Sequence, residues 1–260
     1  MVLGTTQPHL YMAKRRHLKN APITEALIDF RVNSSSDLSF DQFKDEIGKS
    51  DFGYYLKNPI AEGFFGFRLT TEPLSTETTS QSTQVGLRLH SQDEKYVAQF
   101  RLTGLTLSRL PPYEDWDKLI LEMKRVWEVY EKRLSPGRVT RIAARYINNL
   151  RLPMQLRESY QIYLNKLVDV PEEAPQKVES FFQRFQLVDV ESAARLNLTL
   201  ALDATPANEP APVILDVDAF VNTDLPPRDE RIWEILTNLR ELKNRTFFAT
   251  ITEETARLYE

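Results

Sequence analysis

The most constraining feature of this sequence is a period-two pattern close to its start. From Asn20 to Val32 one alternate set reads Thr24, Ala26, Ile28, Phe30, Val32, and the other reads Ile23, Glu25, Leu27, Asp29, Arg31. A strand with one packed and one wetted face gives this split. Pro22 stands at the start of the strand, where no ladder donor is missed. A second stretch, Val139 to Ile147, aligns with it at an offset of 116, placing Thr24 on Thr140, Ala26 on Ile142, Ile28 on Ala144 and Phe30 on Tyr146.

Two more pairs recur at nearly that offset. Leu110-Pro111-Pro112 and Leu225-Pro226-Pro227 each open a helical stretch, 115 residues apart, and Phe64-Phe65 and Phe181-Phe182 each open a run of strand character, 117 apart. Three matches in one order point to an internal duplication. They divide the chain into a flexible N-terminal arm (1–19), a first α+β half (20–135) and a second α+β half (136–260) that shares one continuous sheet. Each half reads strand, helix, three or four strands, long helix. Consecutive strands without intervening helices pair as antiparallel hairpins, and the helices cover one sheet face. The expected fold is α+β, an antiparallel curved sheet covered by long helices. Its element order is similar to that of TATA-binding-protein-like and helix-grip folds, a likeness that licenses no function.

Within that plan, Ser34 to Asp37 breaks the first strand, and Ser39 with Gln42 fits a capping box. Strands are expected at 64–69, 85–89, 95–103 and 105–107, with the Thr- and Ser-rich segment 71–83 as a long mobile hairpin loop. Trp116, Leu119, Ile120, Met123, Trp127, Tyr130 and Leu134 recur at helical spacing, so a helix over 114–134 is predicted, with both tryptophans as core anchors. In the second half a strand at 139–150 precedes a helix over 158–167 and an exposed loop at 171–175. Strands at 181–188, 194–202 and 213–221 follow, the last two joined by a loop at 203–210. A second long helix carries Trp233, Ile232, Leu236, Leu239 and Leu242, and a helical turn at 252–258 ends the chain.

Composition narrows the chemistry. The 260 residues carry a net charge of −4, which argues against a chain that mainly coats nucleic acid or anionic membrane. There is no cysteine, which removes disulfides, thiolate nucleophiles and zinc–thiolate sites together. Eight glycines form no phosphate-cradling loop, and His9, His17 and His90 lie in unrelated contexts. With no secretory or membrane-spanning pattern, a cytoplasmic location is expected, and no cofactor is implied.

Three constellations remain. Asp216 and Asp218 share a strand face at a spacing suited to a hard cation such as magnesium, or else pair with Arg195 and the polar Asn197 and Thr199 of the next strand. Arg138, Arg141, Arg145 and Arg151 make 138–151 locally basic, suited either to phosphates or to partners in Glu25 and Asp29. If the opening strands of the two halves pair antiparallel at the sheet centre, Glu25 falls opposite Arg145 and Asp29 opposite Arg141, two ladder ion pairs on one face. Otherwise these four residues are candidates for an interaction surface.

The stretch Leu18 to Arg31 resembles the opening signature of an uncharacterised, sporadically distributed bacterial protein family, L-x-N-[AP]-P-I-x-E-A. The likeness continues at Arg145-Tyr146-Ile147-Asn148-Asn149, Leu215-Asp216-Val217-Asp218 and Phe248 to Leu258. It implies traffic between genomes, as with toxin–antitoxin or antiphage-defence loci, and no mechanism. The reading that follows is a non-enzymatic binding or regulatory module engaging a protein partner, one encoded by a neighbouring gene. The alternatives are a nucleic-acid binder using the open sheet face and a divalent-metal phosphoryl enzyme at Asp216 and Asp218.

Overall fold

A computed structural model describes residues 12–33, 38–49, 51–71, 74–153, 160–165, 170–171, 173–175, 178–202 and 211–260. Its strands are β1 (Ile23–Val32), β2 (Tyr54–Thr71), β3 (Leu74–Ser91), β4 (Tyr96–Arg101), β5 (Gly104–Arg109), β6 (Val139–Leu152), β7 (Phe181–Val188), β8 (Arg195–Leu202) and β9 (Ala211–Leu225). Its helices are α1 (Phe40–Gly48), α2 (Trp116–Leu134), α3 (Arg231–Thr250) and α4 (Glu253–Arg257). Among the described residues the fold is α+β, one antiparallel sheet in the order β2-β3-β4-β5-β1-β6-β9-β8-β7. β1 lies between β5 and β6, and β6 lies between β1 and β9.

The period-two split of β1 is realised directly. Ala26, Ile28, Phe30 and Val32 are buried on one face, beside Ile142, Ala144 and Tyr146 of β6. α2 covers them because its stripe Trp116, Leu119, Met123, Val126, Trp127, Tyr130, Leu134 is buried along its length. The helix starts at Trp116 because the Asp115 carboxylate caps it, accepting from the Lys118 N–H at 2.8 Å. It stops where Ser135 adopts a left-handed conformation. α3 runs antiparallel to α2, since Arg240 lies over the Trp116 ring, Lys124 over Trp233, and Trp127 Nε1 donates to the Pro227 carbonyl. Phe30 meets Trp127 edge-on at 5.0 Å and Trp233 at 5.8 Å, so both helices anchor on the same strand. Trp127 is buried as expected, whereas Trp233 is half-buried. α1 carries the expected capping box and joins this face through Phe43 and Ile47.

Four expectations are corrected. Residues from Leu74 onward, read as part of a loop at 71–83, belong to β3 and pair with β2 as far as Thr71 opposite Leu74. Thr-rich sequence is good strand material, but without an apolar alternation it shows no strand period. The helix expected over 158–167 is, in its described part, a 3₁₀ turn at Tyr160–Ile162, after which Leu164 bridges to Ile251. The described part of the N-terminal arm is packed. Ala13 donates its N–H to the Ile251 carbonyl, Asn20 to that of Tyr259, and Arg16 pairs with Glu253 at 2.8 Å and Glu260 at 2.6 Å. The last strand is also longer than 213–221, running from Ala211 to Leu225. The expected break at 34–37, the loop at 203–210, Glu172 of the loop at 171–175, and residues 1–11 of the arm lie outside the described residues.

Candidate functional site

The face opposite the helices presents the other alternate set. Here β4, β5, β1, β6 and β9 form a hollow of about 510 Å³ that, among the described residues, is lined by strand residues alone. Its charged members are Glu25, Asp29, Arg31, Arg101, Arg141, Arg145 and Asp218. All four residues singled out from sequence, Glu25, Asp29, Arg141 and Arg145, are therefore brought together.

They do not meet as the proposed rungs, although the expected ion pair of Asp29 with Arg141 forms diagonally at 2.9 Å. β1 and β6 are antiparallel neighbours at the sheet centre, but Leu27 faces Arg145, Asp29 faces Ala143, Arg31 faces Arg141 and Glu25 faces Ile147. The register is displaced by two residues from the one placing Glu25 opposite Arg145. A two-residue slip keeps every side chain on its face, so the apolar alternation cannot detect it. The charges decide it through a third strand left out of the two-strand argument. Arg145 makes a bidentate pair with Asp216 of β9, at 2.9 and 2.7 Å, and that bond raises the pKa of its guanidinium.

At the floor, Asp29 is 5% exposed and fully engaged. It accepts from Thr106 Oγ1 at 2.7 Å, Arg141 Nη1 at 2.9 Å and Arg31 Nε at 3.1 Å. Arg31 and Arg141, opposite each other, would repel; sharing the Asp29 Oδ2 atom relieves this. Arg141 also reaches Asp218 at 3.3 Å and lies over the Phe220 ring at 4.4 Å.

Asp216 and Asp218 face Thr199 and Asn197 of β8, and Asn197 Nδ2 donates to Asp218 at 3.1 Å. The polar neighbours named from sequence are thus the right ones, but the guanidinium partners are Arg145 and Arg141, and Arg195 lies opposite Phe220. A cation at this pair would have to displace two arginines. Among the described residues no group of three His, Cys, Asp or Glu is arranged to hold a metal ion.

Arg101 was missed in the sequence. It comes from β4, far from the basic segment 138–151, and only the sheet order brings it in. Its Nη2 donates to Gln99 at 2.9 Å, and it has no carboxylate within ion-pair distance among the described residues. Burial and the neighbouring Arg31 lower its pKa. Signals for it were present in the alternation of 97, 99 and 101 against 98 and 100. Of the remaining sequence candidates, Arg138 pairs with Asp224 at 2.8 Å, and His90 Nδ1 lies 2.7 Å from Glu94. No family model matches the chain, and no curated protein resembles it significantly. No described helix is long and apolar enough to cross a membrane.

Proposed function

We propose that the protein is a binding module, with no reaction of its own, that engages a protein partner through the hollow on the sheet face opposite the described helices. The observation that carries this reading is Arg101, a half-buried guanidinium in the hollow with no carboxylate within ion-pair distance among the described residues, beside arginines that each have one. A partner supplying an acidic side chain would complete the network. Among the described residues the lining carries four arginines against the three carboxylates Glu25, Asp29 and Asp218. Such interleaved charge suits a polar protein surface of matching pattern, whereas a phosphodiester backbone would meet repulsion at every carboxylate. The resemblance at Leu18 to Arg31 adds a source for the partner, a gene product encoded beside this one in a mobile or defence-type locus.

The two halves are read as copies of one unit. Each places its last strand beside its first, β5 on β1 and β9 on β6, and follows that strand with a long helix. Superposition of residues 20–134 on 136–245 that failed to bring β1 onto β6 and α2 onto α3 would refute this.

The binding test is co-expression with the products of adjacent genes, followed by size-exclusion chromatography. The wild-type chain should co-elute with one of them at fixed stoichiometry, and Arg101→Glu should abolish this while leaving the chain folded by circular dichroism. Retention of RNA or DNA that falls steeply with salt, and that Arg101→Glu removes, would replace the protein reading with a nucleic-acid one.

A further inference from the structure

On the helical side a second concavity, about 660 Å³, lies between the N-terminal segment, the start of α2 and the C-terminal half of α3. Its floor is β6. There Tyr146, 2% exposed, shares a 2.8 Å hydrogen bond between hydroxyl groups with Tyr113, the rings meeting edge-on at 5.4 Å. Trp116, Phe247 and Phe248 supply apolar wall.

Lys243 of α3, a residue 7% exposed, lines this cavity. Its Nζ sits 3.5 Å from the centroid of the Tyr146 ring and has no hydrogen-bond or ion-pair partner among the described residues. A buried ammonium group without a carboxylate is costly and rare. Of the charges acting on it, Glu241 favours the ammonium form, but that carboxylate is shared with Arg15 and with Arg240 at 3.7 Å. From the N-terminal segment, Arg15 is taken by Glu241, Arg16 is held by Glu253 and Glu260, and His17 and Lys19 stand at the rim. From α2, Glu114 is bound to Arg109 and Lys118, and Asp115 caps the helix. From α3, Arg240 adds a further cation. Every carboxylate that lines the cavity among the described residues is thus committed elsewhere.

We propose that this cavity is a binding site for a small organic anion, a single carboxylate or phosphate head on a planar apolar body, with Lys243 and Arg240 receiving the head. The Tyr113–Tyr146 hydroxyl pair offers the head a further donor, and Trp116, Phe247 and Phe248 take the body. The cavity volume is in the range of small-molecule sites, which are mostly apolar with a few placed polar groups. Burial and the adjacent Arg240 and Arg15 lower the Lys243 pKa to about 7. A bound anion reverses that influence, so binding draws a proton onto Nζ, and affinity weakens as pH rises above neutrality.

The probes are benzoate, phenyl phosphate and inorganic phosphate, titrated into the full chain by calorimetry at pH 6.5 and pH 9. Saturable binding of benzoate or phenyl phosphate is expected, weaker at pH 9, and which of the two binds tighter identifies the head. Inorganic phosphate should bind more weakly than phenyl phosphate, because it lacks the apolar body. Lys243→Met should lower affinity by about tenfold or more, and Tyr113→Phe by less. Lys124→Met, at the Trp233 ring outside the cavity, should leave it unchanged. If neither organic anion saturates at millimolar concentration, or if Lys243→Met binds as tightly as wild type, the site is refuted. This outcome is independent of the sheet-face reading, which Arg101→Glu tests.

Discussion

Replacing Lys243 by methionine should make the protein more stable at neutral pH. The ordinary lysine pKa of 10.5 is lowered to about 7 by burial, with Arg240 and Arg15 adding to it. Each pKa unit is worth about 1.4 kcal/mol, so holding this amine in the folded chain at pH 7 costs about 4 kcal/mol. The Tyr146 ring, 3.5 Å away, favours the charged form and offsets about 2 kcal/mol. Methionine keeps the unbranched stem and removes the charge, so Lys243→Met should gain about 2 kcal/mol. The sign with pH follows from proton counts. Between about pH 7 and 10.5 the unfolded chain holds more protons at this position than the folded chain does. Wild-type stability from this group therefore rises with pH through that window. Urea denaturation at pH 7, 8.5 and 10 should show the variant's advantage largest at pH 7 and reduced to about 1 kcal/mol or less at pH 10. A variant less stable than wild type at pH 7, or an advantage that does not change with pH, would refute the reasoning and mean that Nζ has a partner in the folded protein.

Three further substitutions test the frame and the hollow. Trp127→Ala should cost about 3–5 kcal/mol, since the ring stacks on Tyr130 at 5.2 Å and meets Phe30; a loss below about 1 kcal/mol in denaturant titration would place the ring outside the core. Gly104→Ala should cost about 1–3 kcal/mol, because a Cβ there would lie 2.3 Å from the Phe30 carbonyl oxygen; an unchanged melting temperature would show that β5 can shift away from β1. Asp29→Asn keeps the volume but leaves Arg31 and Arg141 facing each other with a neutral group between. It should destabilise by about 1–3 kcal/mol, less than a fully buried pair because Arg141 is partly exposed. Added salt should narrow that gap, and a gap indifferent to salt would mean that repulsion between the arginines is not its cause.

Much of the frame was legible because it rests on short-range periodicity. The β1 alternation, the α2 stripe and the Ser39 capping box each lie within about twenty residues of chain, and each is found where the pattern puts it. What escaped was set by partners far away in sequence. The strand nature of the Leu74-to-Thr83 stretch follows from its pairing with β2, since its own residues alternate in no apolar pattern. The ties of Ala13 to Ile251 and of Asn20 to Tyr259 depend on the last ten residues of the chain, which no local reading connects to the first twenty.

The same distinction explains the two sites. For the hollow, alternation placed Glu25, Asp29, Arg141 and Arg145 on one face, and a two-strand argument then matched acids to bases within that pair of strands. Three strands were needed. Asp216 claims Arg145, Asp218 and Asp29 divide Arg141, and the register follows from that division, leaving Glu25 without an ion pair among the described residues. For the cavity, Lys243 has no sequence signal, because it occupies a position on α3 that helical periodicity would assign to an apolar side chain, between Leu239 and Phe247. A lysine there reads as one polar residue interrupting a stripe. The structure turns that interruption into an argument. A residue that costs the fold stability, at a position where leucine or methionine would pack, is held in place by something other than packing. Lys243 is such a residue, and the cavity it lines, whose carboxylates among the described residues are all engaged, is where that other requirement acts.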